Sequence, residues 1–179
     1  MKLVNSIKYL NKILDRYRSD GFKIHLTPTM GALHGGHLKL VKESKKIKSI
    51  VVVSIFVNPT QFGPKEDYKN YPRTLKNDLK VLKKYGADIV FTPIQKQILS
   101  HKTKYNCPQF AIEKRLCGKS RPKYFPGVKN IVLKLFDIVQ PDAAFFGEKD
   151  YQQYLVIKQM AESLKLNPRI ICVKTVRDR

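Results

Sequence analysis

His34 and His37 are two of the four histidines in the 179-residue chain, and they stand three residues apart beside three glycines in Pro28-Thr29-Met30-Gly31-Ala32-Leu33-His34-Gly35-Gly36-His37. Where a strand runs through such a loop into a helix, free backbone N–H groups and the positive end of the helix dipole attract a phosphate, and glycines let it come close. Imidazoles placed there can donate to the charge that develops during substitution at phosphorus. The same residues could form a plain turn with two structural histidines. Their concentration in one loop favours the phosphate reading, although H-x-G-H alone names no substrate.

Two further polar segments could face the same ligand. In Asn58-Pro59-Thr60-Gln61-Phe62 the amide of Gln61 stands in an otherwise apolar, proline-containing turn. An amide donates and accepts at once, which suits a ligand with hydroxyl and carbonyl groups. Asn58 is the weaker candidate, because Asn before Pro is common in turns for local reasons. Gly147-Glu148-Lys149-Asp150-Tyr151-Gln152-Gln153 carries a cation and a carboxylate directly after a candidate strand. Open parallel sheets bind ligands outside the carboxyl ends of their strands, which favours a functional role over a surface ion pair for Lys149 and Asp150. Two other nucleotide motifs are excluded. Gly118-Lys119-Ser120 resembles the end of a phosphate loop, but Glu113 stands where that loop requires glycine, so Lys119 is expected to face solvent. Gly31, Gly35 and Gly36 also lack the G-x-G-x-x-G spacing of a dinucleotide dehydrogenase.

The elements that must position these groups alternate between helix and strand. Ile7, Leu10, Ile13, Leu14 and Tyr17 predict an amphipathic helix capped by Asn5 or Ser6 and ended by Gly21. Phe22 to Thr27 predicts a strand, and a helix begins around Leu38, Leu40 and Val41. Ile50 to Val57 is a continuous apolar run of the kind buried on both faces of a parallel sheet. After a loop from Asn58 to Pro72, Thr74 to Tyr85 predicts a helix, Ala87 to Phe91 a strand, and Val128 to Val139 a helix. Asp142 to Phe146 predicts a strand, Lys149 to Leu164 a helix, and Arg169 to Val173 a last strand. Residues 93–126 are the least regular. The alternation implies an α/β domain with right-handed crossovers and a mostly parallel sheet. Its ligand loops would be Thr27 to His37, Asn58 to Gln61, Gly147 to Gln153 and Lys174 to Arg179.

Composition narrows the class further. With 42% apolar residues, the chain can bury a core as one globular domain. It has no apolar run of roughly 18 residues, and its N-terminus lacks a signal peptide, so a cytoplasmic chain that does not enter a membrane is expected. Cys107, Cys117 and Cys172 form no C-x-x-C pair, which leaves buried or inert thiols as the expectation, with no dedicated metal site. The net charge of +21 invites a nucleic-acid reading. However, 27 of the 35 basic residues are lysines spread along the whole chain, with little aromatic interleaving. They are expected to be mostly solvated and to attract a polyanion such as ATP, without a nucleic-acid partner.

Three stretches in order, PTMGALHGGHLKLV, FVNPTQFGPKEDYKNYPRTLKNDLKVLKKYGADIVFTP and GVKNIVLKLFDIVQPDAAFFGEKDYQQ, resemble signature segments of the pantothenate synthetases, and the similarity covers essentially the whole chain. The H-x-G-H turn alone indicates only the wider nucleotidyltransferase superfamily. NPTQF and GEKDYQQ are what narrow it to this family. The resemblance implies a Rossmann-like fold of the nucleotidyltransferase, adenine nucleotide α-hydrolase-like type, with helices on both faces of the sheet. It implies an ATP- and Mg²⁺-dependent ligase that joins pantoate to β-alanine through a pantoyl adenylate, and a homodimer.

By the same resemblance, Met30, Gly31, Ala32, Leu33, His34, Gly35, Gly36 and His37 would contact ATP, with His37 as proton donor and His34 as its companion at the phosphates. Gly147, Glu148, Lys149, Asp150 and Val176 would also bind ATP, with Lys149 as the catalytic cation and Asp150 at the ribose. Gln61, Gln153 and Asn58 would hold pantoate, Gln61 would also meet β-alanine, and Arg121 is a candidate phosphate contact. Lys123-Tyr124 stand where many members have Gly-His, which puts the role of the Arg121 loop in question. Val176 to Asp178 match the start of the adenine-binding segment. The family continues with a serine-containing loop and a C-terminal lid domain, so residues 1–179 are expected to correspond to its nucleotide-binding domain, with little activity alone. The competing assignments are another H-x-G-H nucleotidyltransferase, which the NPTQF and GEKDYQQ segments oppose, and a noncatalytic basic module for polyanions.

Overall fold

In the computed structural model, which describes residues 1–45, 49–64 and 66–177, six strands form one parallel sheet. They are β1 (Lys2–Val4), β2 (Lys23–Thr29), β3 (Ser49–Ile55), β4 (Ile89–Phe91), β5 (Ala143–Gly147) and β6 (Arg169–Val173), ordered β1-β4-β3-β2-β5-β6. The helices are α1 (Ile7–Ser19), α2 (Gly35–Ser44), α3 (Leu75–Lys84), α4 (Gln95–Ser100), α5 (Cys117–Ser120), α6 (Tyr124–Val139) and α7 (Tyr151–Ser163). The run of β-branched residues in β3 is buried on both faces. Ile50 and Val52 join the core under α1, α6 and α7, whereas Val51 and Val53 join the core that Val41 of α2 and Leu82 of α3 complete. β5 divides in the same way, with Ala144 and Phe146 on one side and Ala143 and Phe145 on the other. This is the expected Rossmann-like sheet with helices on both faces.

The topology determines where a ligand can enter. From β2 the chain moves outward through β3 to β4, and later fills the opposite side with β5 and β6, so β2 and β5 are neighbours whose following loops diverge. A crevice opens at such a switch point. It is bounded by the H-x-G-H loop after β2 and the segment after β5, two of the loops singled out from the sequence.

Several elements differ from expectation. β1 has no counterpart among the expected strands: it pairs with β4 over only three residues, too few for a periodic signal. Helix α6 begins at Tyr124, ahead of the expected Val128, and accommodates Pro126 in its first turn, where a missing N–H costs little. Residues Glu148–Asp150 form a 3₁₀ turn before α7. The irregular stretch before α6 contains α4 and α5 and is fastened by lysines that read as solvated. Lys129 is buried and its Nζ lies 2.6 Å from both Glu113 Oε1 and the Pro108 carbonyl. Lys134, also buried, donates to the carbonyls of Ile98 and Leu99 at the end of α4. Of the thiols expected to be buried or inert, Cys117 is exposed and Cys107 and Cys172 are half-buried, and burial pushes the Cys107 and Cys172 thiols up. No helix of the described residues is long and apolar enough to cross a membrane.

Candidate functional site

The loop after β2 is shaped from beneath. Thr29 Oγ1 donates to the Ser54 carbonyl at 2.8 Å and accepts the Gly31 N–H at 3.2 Å. Gly31 then turns at φ +81°, where a Cβ would lie 3.1 Å from both Asp78 Oδ2 and Ile55 Cγ2, so both conformation and space favour glycine. The carboxylate of Asp78, on α3, accepts the N–H of Leu33 at 3.0 Å and that of Ala32 at 3.2 Å. These backbone donors are therefore turned into the protein and away from a ligand, unlike the free N–H groups inferred from the sequence.

The histidines stand at the mouth of the loop. His34 caps α2 and its Nδ1 accepts the Gly36 N–H at 3.1 Å, while Nδ1 of His37 accepts the His34 N–H at 3.4 Å. A backbone N–H can only donate, so in both rings Nδ1 is the acceptor and the ring hydrogen falls on Nε2. The ring centroids are 4.1 Å apart. Burial, followed by the neighbouring His34, lowers the pKa of His37 from its ordinary 6.5 to about 4; Lys149 adds to the shift, and Asp150 and Asp78 oppose it. At neutral pH His37 is thus an uncharged donor.

Across the crevice, Asn58 organises the turn that carries Gln61. Its Oδ1 accepts the N–H and hydroxyl of Thr60, and its Nδ2 donates to the Gly127 carbonyl and to Gln61 Oε1, both at 3.1 Å. Gly127 lets α6 pass directly against this turn, because a Cβ there would lie 2.4 Å from the Thr60 carbonyl oxygen and 2.6 Å from Gln61 Cα. Gln61 Nε2 faces Met30 Sδ at 3.2 Å. On α7, Gln153 Oε1 accepts the Tyr124 hydroxyl at 3.0 Å. Lys149 and Asp150 are 3.9 Å apart, with side chains 71% and 57% exposed, so neither is committed to the other.

These groups border one cleft of about 600 Å³. Met30, His34, Gly35, Gly36 and His37 form one wall, and Gly147, Lys149, Asp150 and Val176 another. Gln61, Asn58 and Gln153 meet Tyr71, Tyr124 and an apolar floor that includes Val128, Ile131 and Val132. Gly31, Ala32 and Leu33 lie behind the wall they shape. Glu148 is likewise behind, where its Oε2 accepts the Thr175 N–H at 3.1 Å. Arg121 does not line the cleft: it forms a two-point ion pair with Glu66, and its guanidinium lies 3.9 Å above the Tyr124 ring. Asp178 and Arg179 lie outside the described residues.

Asp78 and Tyr71 were not identified from the sequence. For Asp78 a signal existed, since it falls three residues after Leu75 and four before Leu82, on the stripe that α3 buries. Tyr71 carried none.

Fold and cleft define a Rossmann-like α/β domain organised around an H-x-G-H loop. The family model described as pantoate-beta-alanine ligase matches residues 2–179, and the chain belongs to that family. It is 50% identical to a pantothenate synthetase of Acinetobacter baylyi over 99% of the chain and 64% of that protein, and 47% identical to one of Acetivibrio thermocellus over 99% and 63%. It superimposes on the crystal structure of pantothenate synthetase from Thermus thermophilus with a TM-score of 0.91 at 38% identity, covering 99% of this chain and 63% of that one. A pantoate-beta-alanine ligase from Francisella tularensis, complexed with beta-gamma ATP and beta-alanine, gives 0.91 at 40% identity over 99% and 68%. The chain thus spans about 64% of the length of the curated relatives it matches.

Proposed function

We propose that this cleft binds ATP and pantoate side by side and serves the ligation of pantoate to β-alanine. The carrying observation is that one crevice has a phosphate side, with His34, His37 and Lys149, and an amide side, with Gln61 and Gln153, over an apolar floor. Pantoate has a carboxylate, two hydroxyls and a gem-dimethyl carbon, and this combination matches amides placed over Val128, Ile131 and Val132. Its carboxylate attacks the α-phosphorus of ATP, pyrophosphate leaves with the bond it breaks, and the amine of β-alanine then displaces AMP from the acyl carbon. The nucleophiles come from the substrates. The protein's part is to hold them in line and to supply donors to phosphate charge, which Nε2–H of the two histidines and the ammonium of Lys149 can do.

Gly147, Asp150 and Val176 are assigned to the nucleoside, Asp150 as ribose acceptor, and Asn58 acts through Gln61. Arg121 would reach a phosphate only after leaving Glu66. Mg²⁺ fits best as a companion of the ATP phosphates, where it would neutralise charge. Among the described residues no group of three or more His, Cys, Asp or Glu could hold it, and Asp150 is the carboxylate that borders the cleft. Dimerisation rests on the family resemblance, and sedimentation at rising concentration checks it. Calorimetric titration of the 179-residue chain with pantoate and with a non-hydrolysable ATP analogue tests the assignment. Saturable binding of both at one site each is expected, and binding of neither overturns it.

A further inference from the structure

The two glutamines of the cleft are wired alike. Asn58 is held by an acceptor, the Gly127 carbonyl, and by a donor, the Thr60 N–H, so its Nδ2 must be the atom that donates to Gln61. Gln61 is therefore held through Oε1, and its Nε2 is left on Met30 Sδ, a weak acceptor that a ligand oxygen can displace. Gln153 is held through Oε1 as well, by the hydroxyl of Tyr124 at 3.0 Å.

From this correspondence we propose that Tyr124 is a positioning and specificity residue, which fixes Gln153 with its Nε2 donors toward the cleft so that the pair of glutamines selects an acceptor-rich, anionic ligand. The inference rests on the assignment of pantoate to this side of the cleft. Tyr124 is itself braced. Its ring packs edge-on against Phe125 at 5.0 Å, and the Arg121 guanidinium, fastened to Glu66, covers its face at 3.9 Å. Burial raises the Tyr124 phenol, followed by the effect of Asp150 and against that of Arg121, so it remains a neutral donor. A side-chain amide without such a partner would rotate and offer its oxygen or its nitrogen indifferently. With each Oε1 turned to its partner, a ligand carboxylate or hydroxyl oxygen is met by Nε2–H groups on this wall, whereas a ligand amine or ammonium group finds the two amide oxygens facing Asn58 and Tyr124.

Tyr124→Phe keeps the ring and its packing, and removes the hydroxyl with its hydrogen bonds to Gln153 and Arg121. Two measurements on the ligand-free and titrated chain test the proposal. The Gln153 side-chain amide resonances, assigned by their disappearance in Gln153→Ala, should lose dispersion in Tyr124→Phe. Affinity for pantoate should fall about three- to tenfold, the worth of one neutral hydrogen bond, while affinity for the ATP analogue stays unchanged. Unchanged amide resonances overturn the positioning role whatever the ligands do, as does equal pantoate affinity in the variant. A parent chain that binds no pantoate, but whose Gln153 amide responds to loss of the hydroxyl, supports the positioning and overturns the substrate assignment instead.

Discussion

Asp78 accepts the backbone N–H of Leu33 at 3.0 Å, and through that bond a helix on one face of the sheet sets the path of the H-x-G-H loop. The carboxylate is buried and also takes the Ala32 N–H and the Thr74 hydroxyl. Asp78→Ala should leave these donors unpaired and lower stability by about 3 kcal/mol, since each buried unsatisfied group costs on the order of 1–3 kcal/mol. For a domain of this size that is a fall in Tm of about 10 °C, measurable by calorimetry or circular dichroism. An unchanged Tm would mean that the loop keeps its path without Asp78.

His37 should titrate near pH 4 in the free chain, not near 6.5, because burial and His34 disfavour its charged form. Between 6.5 and about 4 the unfolded chain binds a proton that the folded chain does not, so this residue's contribution to stability is intact above 6.5 and is lost as pH falls toward 4. His37→Gln should therefore lose about 1–2 kcal/mol less than the parent between about pH 7 and about pH 4.5, after allowance for partial solvent screening. Urea denaturation at the two pH values measures the difference, and the ring's own titration can be followed by NMR. A bound phosphate should move that titration upward.

Much of this architecture is legible in the residues. The uninterrupted run in β3, the helical stripe of α1 with its Ser6 cap, and the final strand at Arg169–Val173 each carry a local signal strong enough to place them. The H-x-G-H loop and the segment after β5 could be located as neighbours only once strand order was known, because their approach depends on β2 and β5 pairing across a long stretch of chain. What escaped was structure made by side chains across sequence distance. Lys129, buried at 2.6 Å from Glu113, looks in sequence like any surface lysine of a helix, and the part of residues 93–126 that it fastens has no period of its own to betray it. The role of Asp78 is likewise a contact across 45 residues, visible beforehand only as a charge on an apolar stripe.

Gly127→Ala should disrupt the site while leaving every candidate ligand side chain chemically intact. The added methyl would lie 2.6 Å from the backbone nitrogen and Cα of Gln61 and 2.4 Å from the Thr60 carbonyl, atoms that cannot swing aside like a side-chain end. Either α6 or the Pro59–Gln61 turn must shift, at a cost of about 1–3 kcal/mol or more. The expected result is a lower Tm and loss of pantoate binding, with the ATP analogue retained better than pantoate because the histidine loop belongs to another element. Parent-like values for both would show that the contact between α6 and this turn is looser than described.

The two sides of the cleft should differ in the step each serves. Donors aimed at phosphate act mainly on charge that grows as pyrophosphate departs, so their removal should affect the rate of adenylate formation more than the affinity for pantoate. His37 offers its Nε2–H uncharged, and Lys149 offers an ammonium on a side chain that is 71% exposed and free to move to a ligand. For His37→Ala and Lys149→Ala we expect the single-turnover rate of pyrophosphate release to drop about 100-fold or more, with pantoate affinity within about threefold of the parent. Under the proposed assignment the glutamines act on the ground state. Gln61→Ala and Gln153→Ala should weaken pantoate binding about tenfold, whereas ATP binding should be affected little. Rapid-quench measurement of pyrophosphate in the presence of ATP, Mg²⁺ and pantoate, together with calorimetric titration of each variant, reads both quantities. If all four substitutions depress rate and affinity in equal proportion, the division of the cleft into a phosphate side and an amide side is wrong, and the histidines and glutamines must share a single, structural task.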